Sequence, residues 1–135
     1  VLALPDPVAV ARVLVLWALA GELARIEAVR LYHVEGARPT DIVRTLGVSK
    51  YRVDGWLGRL RDANGGPVGV SRVVRKCVNY VLQIEPVVVR RPDGYRCLIC
   101  GRTGLEKGVM HVLMSHRDVL DRYTEYVVSR CLKKR

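Results

Sequence analysis

Residues 39–60 read PTDIVRTLGVSKYRVDGWLGRL, and how this stretch is parsed decides the fold. Pro39 gives up no hydrogen bond in the first turn of a helix, and Thr40 is placed to cap that helix. Ile42, Val43 and Leu46 then recur at helical spacing and supply one apolar side. Gly47 follows where a tight turn needs a residue that tolerates positive φ. Ser49 opens a second helix as its N-cap, Val48 fills the angle between the two, and Val53, Trp56 or Leu57, and Leu60 hold the second helix down. What remains exposed at its front is Lys50, Tyr51 and Arg52, with Asp54 and Gly55 one turn on.

This pattern resembles the helix-turn-helix of bacterial and archaeal transcription regulators and of transposase or recombinase DNA-binding domains. The resemblance implies that the front of the second helix enters the major groove of double-stranded DNA, where Ser49, Lys50, Tyr51 and Arg52 meet base edges and phosphates. Gly55 would allow close approach, although glycine weakens a helix by about 1 kcal/mol relative to alanine. Arg38, Thr40 and Arg44 are the expected backbone contacts from the first helix, with Arg59 and then Arg61 at the end of the second. One such motif covers only a short half-site, so a homodimer is expected.

The charge supports a polyanionic partner. The 135-residue chain carries 23 Lys+Arg against 13 Asp+Glu, a formal net charge of +10, which makes nucleic acid the first candidate. Its placement is more informative than its size. Residues 1–36 hold three arginines against four carboxylates, whereas residues 37–61 hold six basic residues against two acidic ones. The basicity begins where the motif begins.

A second constellation lies at residues 95–116, YRCLICGRTGLEKGVMHVLMSH. Cys97 and Cys100 stand two residues apart, ten residues follow, and His111 and His116 come four apart. Two thiolates and two imidazoles make a closed tetrahedral set, and the spacing resembles a C2H2 zinc finger with structural Zn2+. The segment departs from that family in its short central gap and in having no Phe, so that Leu105 is the substitute for the finger's core residue. The base-reading places of a finger helix fall on Gly104, Lys107 and Met110, of which only Lys107 offers hydrogen bonds to a base. The finger is therefore expected to staple the fold, and the helix-turn-helix to read. His111 and His116 lie about 140° apart on a regular helix, so the helix must loosen between them. Met110 and Met114 are expected to pack.

Around these motifs the pattern is mainly helical: a helix-turn-helix or winged-helix-like domain, then a small ββα finger module with a long C-terminal helix. Asp6-Pro7 starts a helical stretch running from Val8 to about Val34, broken near Gly21. Its first half is apolar all round and needs a cover, either the protein's own core or a dimer partner. Asn64-Gly65-Gly66-Pro67 is the strongest breaker cluster. Residues 71–84 fit a helix face at 73, 74, 77, 78, 81 and 82, with Ser71 as cap; their β-branched content and the Arg75-Lys76 pair also fit a wing. Residues 87–91 read as a strand, 92–94 as a turn and 95–97 as the return strand; helix resumes from 105 to 132, ahead of a basic Lys133-Lys134-Arg135 tail. The division expected is 1–66, with the motif at 39–61, a connecting helix or wing at 67–86, and the metal module at 87–135.

Cys77 and Cys131 are expected to be free buried thiols, a disulfide becoming credible in a hyperthermophile. His33 falls near a helix end, where a cation is welcome. No run of ~18 apolar residues appears, Arg12 interrupts the apolar start, and a cytoplasmic protein is expected. No catalytic carboxylate cluster or activated nucleophile is evident, so no catalytic residue and no small-molecule substrate are assigned. The combination resembles small regulators of archaea and their viruses, which implies a sequence-specific DNA-binding transcriptional regulator. The competing reading is a protein-interaction adaptor that uses the finger and the C-terminal helix.

Overall fold

The computed structural model describes residues 7–60 and 68–132. Asp6, Arg61, the Asn64–Pro67 breaker and the Lys133–Arg135 tail lie outside the described residues. Among the described residues seven helices and one antiparallel hairpin follow in order: α1 Pro7–Leu19, α2 Leu23–His33, α3 Pro39–Leu46, α4 Lys50–Gly58, α5 Val68–Val81, β1 Val88–Arg91, β2 Gly94–Cys97, α6 Gly108–Ser115 and α7 Arg117–Cys131. The protein is mainly helical.

Helix α1 is the hub. Its apolar residues surround the helix, which would leave a bare face on any single-sided packing, and the chain covers it from several directions. It packs on α2, α5, α6 and α7, burying Leu14, Val15, Trp17 and Leu19 almost completely. The cover that its sequence demanded is thus supplied by the protein's own core. Arg12, the one charge in the helix, reaches out to Asp121 of α7.

The break after α1 falls at Gly21, which separates α1 from α2. Helix α2 then packs on α5, α4 and α3, with Ile26, Ala28 and Val29 buried. Helices α3 and α4 follow the spacing of the apolar residues: Ile42, Val53, Leu57 and Leu60 are buried, and Gly47 takes φ 68° between the helices. A Cβ at Gly47 would touch nothing within 4 Å, so its backbone conformation, not crowding, asks for glycine. Ser49 caps α4, its Oγ accepting the Arg52 N–H at 3.2 Å. The cap of α3 differs from the one expected. Arg38 is the N-cap residue and Asp41 reaches back to accept its backbone N–H at 3.3 Å, while Thr40 sits exposed in the first turn.

The 71–84 segment is helical, not a wing. Val73, Val74, Cys77, Val78 and Val81 are buried along one face of α5, and Arg75 and Lys76 are exposed on the other; Leu82, expected on the buried face, follows the end of the helix and is exposed. The 3.6-residue period of the apolar positions outweighs the β-branched composition, because five of them bury together only on a helix. Ser71 does not cap this helix. It lies inside α5, with Oγ 2.7 Å from His33 Nδ1, and His33 Nε2 stands 3.1 Å from the Leu60 carbonyl. His33 ends α2, as its place in the sequence indicates, and there it is a buried polar tie between α2, α5 and the residues just after α4. A ring whose Nε2–H donates to Leu60 and whose Nδ1 accepts from Ser71 satisfies both contacts as a neutral imidazole.

The hairpin pairs Val88 with Cys97 and Arg91 with Gly94. It is fastened at its base, where the Val87 N–H donates to the Leu19 carbonyl at 2.8 Å and the Leu98 N–H to the Val87 carbonyl at 2.7 Å. Gly94, at φ 127°, lets the tip press against the following loop; a Cβ there would lie 2.9 Å from the Leu105 carbonyl. Leu105 bridges Tyr95 by two backbone hydrogen bonds and is only half-buried. The apolar anchors of this region are instead Val88 and Val112, which belong to the same core cluster as α1. A disulfide joins Cys77 of α5 to Cys131 of α7, with Cα atoms 5.1 Å apart, so these two residues are not the free thiols expected.

Candidate metal centre and nucleic-acid interface

Four side chains converge where β2, the loop after it and α6 meet. Cys97 ends β2 and is buried, and Cys100 follows at the exposed tip of a tight turn closed by the Gly101 N–H donating to the Cys97 carbonyl at 2.9 Å. His111 comes from the middle of α6. His116 comes from the break between α6 and α7, where φ −131° and ψ 42° leave the helical region. Its backbone closes one helix and opens the next: the N–H donates to Val112 at 2.9 Å, and the carbonyl accepts from Val119 and Leu120 at 3.1 Å. This kink is the loosening that a five-residue separation requires, and it replaces the single long helix expected across 105–132.

The ligand atoms of Cys97, Cys100, His111 and His116 all lie within 4.8 Å of one another. Cys97 Sγ stands 3.4 Å from His116 Nε2, and Cys100 Sγ 3.4 Å from His111 Nε2. A tetrahedron drawn around an ion at ordinary thiolate and imidazole bond lengths has sulfur–nitrogen edges of about 3.6 Å. The cradle therefore has the size of a four-coordinate metal ion. The electrostatics favour the ligating protonation states as well. The Arg102 backbone N–H is the first influence holding the Cys100 thiol below its ordinary range, with smaller contributions from Cys97 and the Arg102 charge. Burial, then the charges of His116 and Arg102, keep His111 below the usual histidine value and so favour a neutral imidazole. Arg102 was not singled out from sequence; only its position two residues past Cys100 could have pointed to it.

The finger-like reading positions do not form a helix face. Helix α6 starts at Gly108, so Gly104 and Lys107 precede it. Met110 and Met114 are 48% and 70% exposed and are not packing residues.

The exposed face of α4 carries Tyr51, Arg52, Gly55 and Arg59, with Tyr51 88% exposed. Lys50 shares this end of the helix, but its Nζ is held by Asp54 at 2.8 Å. Arg38 and Arg44 both lie on Asp41, at 3.1 and 3.6 Å, which leaves the pair with one net positive charge. The Arg38 hydrogen bond is the main reason the Asp41 carboxyl sits below its ordinary range. Thr40 is exposed beside them. Arg52 and Arg59 form no ion pair among the described residues.

Among the described residues no helix is long and apolar enough to cross a membrane. No family model, curated protein or solved structure matches the chain.

Proposed function

We propose that this protein binds double-stranded DNA sequence-specifically as a transcriptional regulator, with α3–α4 as a helix-turn-helix reader and a zinc ion as a structural staple. The observation that carries the reading is the α4 face. A short helix seated on α2 and α3 by Val53, Leu57 and Ile42 turns outward a surface of Tyr51, Arg52 and Arg59 around a glycine. A basic, hydrogen-bonding helix front of this kind suits major-groove entry, where arginine takes guanine edges bidentately. Zinc is the ion that suits two thiolates and two imidazoles in a closed tetrahedral set. All four positions are filled by protein, so the metal has no open site for catalysis. With α1 buried inside the chain, the outer face of α7, where Tyr123 and Tyr126 are exposed, is the surface proposed for a second copy on a two-half-site operator.

Selection of duplexes from a random pool, followed by binding isotherms, tests this directly. The double variant Lys50→Ala, Arg52→Ala is expected to lose preference for the selected sequence, because each well-made base contact is worth about 1–3 kcal/mol of discrimination. Its fold and metal content should be unchanged, since both side chains are exposed. Full operator affinity in that variant rejects α4 as the reader. Absence of any DNA binding at low salt favours the adaptor reading, in which α7 binds a protein.

Gly55 gives a second expected result of opposite sign in two assays. It lies within α4, and a Cβ built there meets nothing within 4 Å. Gly55→Ala should therefore stabilise the free protein by about 1 kcal/mol, as alanine does in a helix interior. The same methyl group stands where the duplex must come close, so affinity should fall. A variant both more stable and equally tight on DNA would show that no ligand approaches α4 at this point.

A further inference from the structure

Beside α4 runs a groove of about 730 Å³ whose second wall is the β-hairpin of the metal module. Tyr51, Arg52, Gly55 and Arg59 line it from α4, and Arg90 and Tyr95 from the hairpin. It continues past Arg59 and Tyr95 into a smaller hollow of about 330 Å³ that ends at Glu106, Lys107 and the start of α6. Nothing in the helix-turn-helix reading requires the hairpin to face α4.

The charges decide what such a groove can hold. Glu22 and Asp54 also line it, but Glu22 is taken up by Arg25 at 3.3 Å and Asp54 by Lys50 at 2.8 Å. Arg52, Arg59, Arg90 and Lys107 enter no ion pair with another described residue, and against them only Glu106 is left unpaired among the acidic lining residues. Low-dielectric walls focus such a surplus into a positive potential along the cleft. Pockets for small organic ligands are mostly apolar, whereas arginines and two tyrosines, with Trp56 among them, make up most of these walls. Arg90 is also held in place. Its Nη1 donates to the Tyr95 hydroxyl at 3.1 Å, and the guanidinium lies 5.2 Å from the centre of that ring. A guanidinium fixed in this way loses less freedom when it binds an oxyanion. Cross-strand pairing sets the arrangement, because Arg90 stands directly opposite Tyr95.

We propose that this groove takes one sugar-phosphate strand of the duplex read by α4, with Arg90 as a phosphate contact supplied by the metal module and Lys107 as a further one. The proposal rests on the DNA-binding reading of α4 and adds to it a second binding element. Arg90 fixes register and carries no base preference, as phosphate contacts do. The metal centre then serves binding indirectly, by holding the hairpin that presents Arg90.

Arg90→Ala, compared with Arg91→Ala in the whole 135-residue chain loaded with zinc, tests it. Arg91 is the control because alternation along the strand turns it to the other face of the hairpin, away from the groove, while the net charge of the two variants is the same. Affinity for the selected duplex is measured as a function of salt. Arg90→Ala is expected to bind roughly tenfold more weakly, with a plot of log K against log salt less steep by about 1. Its ranking of selected against scrambled duplexes should be that of the wild type, and Arg91→Ala should leave the slope unchanged. An unaltered slope in Arg90→Ala, or an equal change in both variants, overturns the groove while leaving α4 as reader. Loss of sequence ranking in Arg90→Ala would also overturn it, by making Arg90 a base reader. A wild-type protein that binds no duplex at low salt removes both proposals together.

Discussion

Cys97→Ser, or removal of the metal by a chelator, is expected to lower the melting temperature by on the order of 10 °C or more and to unfold the hairpin with α6 before the rest. The reason is how little else holds this region. A two-stranded hairpin is marginal by itself in water, and of its eight strand residues only Val88 and Cys97 are buried. The loop that follows exposes Leu98 and Ile99 and carries Arg102, Thr103 and Gly104 in the open. Without a metal, buried Cys97 and His116 have each other as partners, and buried His111 has the exposed Cys100. Binding free energy at a structural site of this type is also folding free energy, with apparent values of about 10–16 kcal/mol in small zinc peptides. The gain here is smaller wherever the metal-free chain keeps part of the fold. Helices α1, α2, α5 and α7 bury a core without help from the metal, so they should persist. Hydrogen exchange with and without chelator separates the two regions. Unchanged protection across 88–116 in metal-free protein would show that the cluster is not structural. Metal analysis of the purified chain should return one zinc per molecule.

Much of the local structure was legible because the signals were local. The Ile42, Val43, Leu46 spacing, the glycine at 47 and the serine at 49 specify two helices and the turn between them, and each acts over no more than a few residues. The hairpin at 88–97 followed from a β-branched run and a Pro-Asp-Gly turn. The metal cluster was legible for a chemical reason: cysteine and histidine at these intervals have few other uses. The need for a loosened helix also followed from arithmetic on residues 111 and 116, although the size of the effect did not. The chain ends one helix at Ser115 and begins another at Arg117.

What sequence could not show depends on distant segments meeting. The place of His33 at the end of α2 was legible, but its burial and its partners Ser71 and Leu60, 38 and 27 residues away, were not. The apolar face of α1 favours a core but also fits a partner, and only the packing of α5, α6 and α7 around it decides for the core. Met110 and Met114 show the reverse, since apolar side chains expected to pack are turned to solvent by the helix. Arg90 gained its significance only when the hairpin was found across a groove from α4. Its β1 position alone says that it shares a face with Val88, and not what that face meets.

Cys131→Ser is expected to reduce stability by about 4 kcal/mol, the loop-closure value for a crosslink between residues 54 apart. For a chain of this size that corresponds to a fall of roughly 10–20 °C in melting temperature. The substitution suits the measurement: Cys131 is only half-buried, and the thiol left at the fully buried Cys77 behaves as a small apolar group. Reducing agents are a poorer test because thiols compete for the metal. The variant should still fold, since Leu120, Thr124 and Val127 of α7 remain buried and α7 still packs on α1 and α5. What it loses is the constraint on its unfolded state, and the constrained loop contains the hairpin, the four residues of the candidate metal centre and both C-terminal helices. The crosslink and a metal held by Cys97, Cys100, His111 and His116 would therefore restrain the same half of the chain by different means, one through the unfolded ensemble and the other through the native site. Metal content equal to the wild type together with a lower melting temperature is the result that separates them. A variant as stable as the wild type would show that the crosslink adds nothing to α5–α7 packing.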